Sequence, residues 1–427
     1  MKRAALLLLT CCFAARGFGQ NWIEQYASES VAANKSCRAK DYADCRTCLL
    51  RLNELLDGRA DIVYRLASVE ALLGNRGAAL EWLSLFSRTG LTFADPASDA
   101  DFASLKDSAE FAPILSRVKS AREPVSNSKP FQTLPERDLI SEDIAYDQAS
   151  GRFFISSVRH GKILSLNRQG KFADFVPEGQ ADIWAILALG VDAKRKYLWA
   201  TTAAMPESID YSAASEGRSA LLKYSLISGA LLKRYDLPKD GKHALGDMTV
   251  SAAGDVFVSD GFGAVYWLDH RKDTLEILIG KGTFRSPQTP ALSPDGGRLF
   301  VPDYTRGISV VDLATKQAKL LEHPKDVSLG GIDGLYLTGR TMIAVQNGTT
   351  PPRLIRMWLD ASLTRILRWE TMEANWPGLG APTHGVVVGK KFYFIANSGW
   401  DRMADDGRVK PGATFEAPTI RVADLGH

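Results

Sequence analysis

From Ile144 onward one short pattern recurs about six times along the chain. A small or acidic turn leads into an apolar strand, a Gly or Asp turn follows, and a second apolar strand ends in Asp, Asn or Ser. The clearest copies are DIAYDQASGRFFISSV (143–158), DMTVSAAGDVFVSD (247–260), PALSPDGGRLFVPD (290–303), DGLYLTGRTMIAVQN (333–347) and HGVVVGKKFYFIAN (384–397). LGVDAKRKYLWATT (189–202) is a more divergent copy. Start to start they lie roughly fifty residues apart, the period of one propeller blade. Six such units predict an all-β six-bladed β-propeller over 130–427. Propeller geometry gathers one end of every inner strand around a single mouth, so residues distant in sequence become neighbours there.

Third strands are expected at KILSLN, ALLKYSL, AVYWLD, GISVVDL and LIRMWLD. Lys129–Leu134 and Ile420–Leu425 read as lone strands at the two ends of the repeat region. Pairing them within one blade would close the ring and remove its free edges. Long insertions at 203–220 and 399–417 are predicted to form rim loops, candidate covers of the mouth.

The chain before the repeats is of another kind. Residues 1–19 read as a secretory signal: Lys2 and Arg3, an apolar core from Ala4 to Ala15, then small residues Gly17 and Gly19 before a cut at Gln20. The apolar run is too short for a bilayer span of ~20 residues, and no later segment could cross one. A lipoprotein site at Cys11 or Cys12 is disfavoured by the size of Thr10. The expected location is therefore exported, periplasmic or extracellular. Residues 20–120 show helical periodicity, with helices predicted at 22–37, 41–56, 61–73, 76–88 and 108–119. Residues 121–129, polar with Pro and Ser, read as a linker.

Cys37, Cys45 and Cys48 remain after the signal. A Cys37–Cys45 disulfide across a helical hairpin and three free core cysteines are both open readings. No His lies near enough for a zinc site or a haem-attachment motif. The net charge of +3 over 427 residues argues against a nucleic-acid partner.

In register, the position before each inner strand should face the funnel. Those positions are Glu142, Asp182 or Trp184, Asp247, Gln288, Asp333 and His384. A second ring falls at strand ends: Ser156, Asp260, Asp303, Asn347 and Asn397. Converging carboxylates, amide oxygens and an imidazole suit a divalent cation, calcium or zinc. The competing reading is that Asp and Asn at strand ends cap turns, as Asp192 and Asp295 should. His384 is read as a base or ligand; a structural hydrogen-bonding role is its alternative.

Two family resemblances follow from these motifs. YRLASVEALLGNRGAALEWLSLFSRTGL (64–91) resembles a tetratricopeptide repeat, with a looser copy at 22–56. That implies a surface for a protein or peptide, or a helical cap on the neighbouring domain. SEDIAYDQASGRFFISSVRHGKILSLN, GDMTVSAAGDVFVSD, PALSPDGGRLFVPDYTRGISVVDL and GIDGLYL resemble the family that groups senescence marker protein, gluconolactonase and luciferin-regenerating enzyme. The resemblance covers nearly all of 130–425. It implies a six-bladed propeller and metal-dependent lactone hydrolysis. It also implies a metal on Glu142, on Asp333 within Ile332-Asp333-Gly334, and on the family's Asn position, here Gln288. Its substrate Asn falls on Gly246 and the accompanying Asp on Asp247. Two positions match, one is altered and one has lost its side chain. The expected function is thus an exported lactonase-type hydrolase with Asp247 and His384 in catalytic roles and a small-molecule ligand at the mouth. The alternative is a non-catalytic binding propeller with a helical docking domain.

Overall fold

The computed structural model describes residues 22–426. The signal sequence expected at 1–19 lies outside the described residues. Five α-helices come first among the described residues: α1 (Trp22–Arg38), α2 (Tyr42–Leu55), α3 (Ala60–Leu72), α4 (Arg76–Arg88) and α5 (Phe111–Ser120). Their starts are written locally. The Asp41 carboxylate accepts from Asp44 N at 3.1 Å and caps α2, a contact typically contributing ~1 kcal/mol. Gly74, at φ +80°, ends α3 in the left-handed conformation that glycine adopts without a Cβ penalty. Consecutive helices pack together, α1 on α2, α2 on α3 and α3 on α4. Their apolar faces make two cores, one around Leu49, Leu52 and Leu66, the other around Tyr64, Phe86 and Phe102. A disulfide joins Cys37 to Cys45, and Cys48 is buried and free.

Six antiparallel sheets follow. Their innermost strands are Ser141–Asp147, Ala185–Asp192, Leu245–Val250, Ala291–Leu292, Gly334–Thr338 and Gly385–Val388. Six apolar clusters fill the six spaces between neighbouring blades. Phe154 and Leu198 meet between the first and second blades, for example, and Phe257 and Leu299 between the third and fourth. The ring closes as expected. Ser128–Thr133 pairs with Thr419–Asp424 as the outermost strand of the sixth blade, so the first strand of the ring locks the last.

The segment read as a linker is partly structured. Val125–Ser126 adds a fifth strand to the fifth blade beside Ala374 and Glu373. The helical region is also not tethered at a distance. Trp22 Nε1 donates to Thr283 O at 2.9 Å, Thr92 N to Thr350 O at 2.8 Å, and Arg353 Nη1 to Thr89 O at 2.6 Å. Thr283 and Thr350 lie in loops, and Arg353 opens a strand, at the end of the fourth and fifth blades where the inner strands begin. The helices therefore sit on the same face as the predicted mouth.

Candidate functional site

The first inner strand carries a bulge: its pairing with the second strand shifts register between Ser141 and Ile144. Such irregularities re-aim side chains, and here Glu142 and Asp143 are both buried near the axis. Ile140, just upstream, is held at φ +43°, a conformation costly for a β-branched residue. A similar shift between Leu245 and Asp247 marks the third blade. Asp333 and His384 sit immediately before the fifth and sixth inner strands.

These residues meet. Ligand atoms of Glu142, Asp333 and His384 all lie within 4.8 Å of one another. His384 Nδ1 stands 3.0 Å from the Glu142 carbonyl oxygen, so it is placed to donate there. That bond leaves Nε2 to face the carboxylates, 2.8 Å from Asp247 Oδ1 and 3.8 Å from Asp333 Oδ1. Nε2 is buried, and Asp247 is its nearest partner, in an ion pair. A histidine that donates one ring nitrogen to a backbone carbonyl and presents the other to carboxylates has the arrangement of a metal ligand. The buried imidazole of His384 with the carboxylates of Glu142 and Asp333 is a donor set that fits a divalent ion.

The surrounding polar groups hold this set in place. Trp400 Nε1 donates to Glu142 Oε2. Asn347 Nδ2 donates to Asp333 Oδ2 at 2.5 Å, and Tyr304 Oη donates to Asn347 Oδ1 at 3.0 Å. Thr289 Oγ1 donates to Asp247 Oδ1 at 2.8 Å. Burial, reinforced by the Asp333 charge, pushes the Glu142 carboxyl well up from its ordinary range. Burial likewise raises Asp333, against the pull of His384. Burial opposes the His384 imidazolium, but Asp333 and Asp247 outweigh it and hold its pKa well above the ordinary value. Without an ion, the imidazolium is thus the counter-charge of the site.

Most of the other positions read from the sequence are placed elsewhere. Gln288 turns its amide to Ser286, with Nε2 at 2.9 Å from Oγ, while the adjacent Thr289 reaches Asp247. Asp182 is exposed and near Arg218, and Trp184 lies under the Arg218 and Arg234 guanidinium groups. Of the second ring, Asn347 joins the site. Asp260, Asp303 and Asn397 cap turns: Asp260 takes Ala244 N and His243 Nδ1, Asp303 takes Arg285 N and Thr305 N, and Asn397 takes Thr419 N. Ser156 binds the backbone of Asp143. Sequence reasoning missed Trp400, Thr289 and Tyr304. Trp400 belongs to the 399–417 insertion, and Met403 and Phe415 from the same segment pack with Ala203 and Met205 from the 203–220 insertion. Both insertions therefore lie at the mouth. Gly246 leaves open space: a Cβ there would meet nothing within 4 Å. On the other side of the ion group, a channel of about 840 Å³ runs between the inner strands, past Asp143, Met248 and Leu335.

No protein-family model and no curated protein matches the chain. Among solved structures, it is similar to a gluconolactonase from Xanthomonas campestris, with TM-score 0.45, 11% identity, and 71% of this chain and 98% of that one covered. Virginiamycin B lyase from Staphylococcus aureus aligns with TM-score 0.46 and 12% identity over 69% of this chain and 98% of that one. A putative oxidoreductase (glucose dehydrogenase) from a Thermus species gives TM-score 0.46 and 16% identity over 69% of this chain and 99% of that one. These likenesses concern the path of the chain alone.

Proposed function

We propose that this is an exported hydrolase acting on a cyclic ester, with a divalent ion held by Glu142, Asp333 and His384. The single observation that carries the reading is the convergence of three buried ligand atoms, from Glu142, Asp333 and His384, within 4.8 Å of one another. Calcium prefers oxygen ligands throughout, whereas zinc accepts imidazole with carboxylates, so the donor set favours zinc. When bound, such an ion polarises an ester carbonyl and lowers the pKa of water. The chain's own residues supply the rest. Trp400 and Asn347 fix the carboxylates of Glu142 and Asp333. Asp247, oriented by the Thr289 hydroxyl, is the nearby carboxylate outside the ion group and would take the proton of the attacking water. The insertion bearing Trp400 walls the mouth. Export is supported by the Cys37–Cys45 disulfide and by the basic and apolar N-terminal sequence. No helix among the described residues is long and apolar enough to cross a membrane.

A second reading, a binding propeller without turnover, is favoured by Gly246, where the resembled family has a substrate-contacting Asn. Thermal melting with zinc and with calcium tests the ion first. A ligand at a hundredfold excess over Kd should stabilise the protein by ~2.7 kcal/mol, and Glu142→Ala with Asp333→Ala should abolish the shift. Unchanged melting of the wild type with either metal would sink the ion-site reading. Where an ion binds, hydrolysis of sugar and homoserine lactones separates the enzyme from the binding protein.

A further inference from the structure

A second cavity, of about 380 Å³, lies where the helical region meets the propeller. Its size falls within the ~300–1,000 Å³ range of small-molecule pockets. Arg59, Asp61, Leu91 and Phe93 line it from the helical side, Arg285 and Tyr304 from the propeller. Neither part of the chain forms it alone. Its charges are uneven. Arg59 is satisfied, with Nε and Nη2 on the two Asp61 oxygens at 2.6 and 2.7 Å. The Arg285 guanidinium has no carboxylate partner among the described residues. Its Nη1 reaches only the Thr305 hydroxyl at 3.2 Å, and its Cζ lies 5.1 Å from the centre of the Tyr26 ring. One cation is left over beside an apolar wall of Leu91 and Phe93, the latter 40% exposed.

This cavity adjoins the mouth. Tyr304 lines it and donates to Asn347, which in turn donates to Asp333. One asparagine side chain therefore separates the cavity edge from the candidate ion site. We propose that the interface cavity binds the carboxylate-bearing arm of an organic-acid ligand, with Arg285 as its charge partner and Leu91 and Phe93 against its apolar part. The link from this arm to a reacting ester at the ion site rests on the reading of function above; the anion site itself does not. A guanidinium recognises a carboxylate through paired N–H donors, so the neutral amide of the same shape should bind far less well.

Benzoate and benzamide, titrated calorimetrically into the full chain with chelator present, are the probes. Benzoate should bind about tenfold or more tightly than benzamide. Arg285→Gln should erase that preference, and Arg285→Lys should retain part of it. The preference should persist in the Glu142→Ala, Asp333→Ala variant, which separates this site from the ion site and keeps the test valid even if no metal binds. Equal binding of the two probes overturns the proposal. So does a preference unaltered by Arg285→Gln, or one lost in the double variant, which would place the anion at the mouth instead. Arg285 is exposed, and a melting point equal to wild type confirms that each variant is folded.

Discussion

One imidazole faces three carboxylates at the candidate ion site, and its proton sets how the ion-free protein responds to pH. The Glu142 and Asp333 carboxyls are raised by burial. The unfolded chain therefore releases those protons first as pH rises, and the folded state loses stability from the ordinary carboxylate range upward. The raised His384 acts with the same sign, because its contribution is complete below the unfolded histidine pKa and fades as pH climbs through the folded value. Urea denaturation in chelator should show a loss on the order of 2 kcal/mol between pH 5 and pH 8, and Asp333→Asn should flatten it. Added zinc should reverse the slope, since ion binding needs the deprotonated ligands. A second buried charge belongs to the scaffold. The Arg353 guanidinium is fully enclosed, with Nε on Gln346 Oε1 at 2.8 Å and Nη1 on Thr89 O, the C-cap of α4. Burial lowers its pKa to about 9. Arg353→Ala would strand both neutral acceptors and leave a cavity while removing a desolvated charge, so denaturation should show a loss on the order of 2 kcal/mol.

Strands whose burial alternates or is complete announce themselves in the sequence, and exposed ones do not. The second and third strands of each blade are densely apolar, as in Arg152–Ser157 and Arg353–Leu359, and were readable. The fourth strands, such as Phe172–Val176 and Leu231–Asp236, are only partly buried and carry no such pattern; they are set by pairing to the third strand. The same division holds at the site. Glu142, Asp247, Asp333 and His384 were legible because blade register places them. Trp400 was not, because a loop inserted between strands has no register to read. Its indole donates to Glu142, and removing such a support typically weakens a metal site 10–100-fold. Trp400→Phe should therefore lower ion affinity by roughly tenfold while keeping the aromatic packing on the Met403 cluster. Calorimetric titration of zinc would measure it, and an unchanged Kd would assign Trp400 to packing alone.

At the scale of the molecule the question is whether the helices and the propeller act as one body. The sequence separated them at 121–129, and polar composition was the only signal there. What joins them is tertiary: cation–ring contacts of Arg306 on Trp22 and Arg285 on Tyr26, the backbone bond of Thr92, the indole bond of Trp22, and one titratable link. That link is His323 Nε2 to Asp57 Oδ2 at 3.0 Å. Burial opposes the charged imidazole, yet Asp57 and the Pro324 carbonyl outweigh it and raise the His323 pKa. A raised histidine contributes fully below its unfolded pKa of about 6.5 and loses that contribution as pH passes above its folded value. Docking of the helices should thus weaken as pH rises from 6 towards 9. Asp57 is partly exposed, so solvent screening holds the effect to about 1 kcal/mol. Hydrogen-exchange protection factors at 57–60 and 323–328, with the intrinsic base-catalysed rise divided out, should fall over that range in the wild type, and much less in His323→Gln, where the loss is already present at low pH. Protection that falls equally in both would show that the interface is held by its ring and hydrogen-bond contacts, with the ion pair incidental.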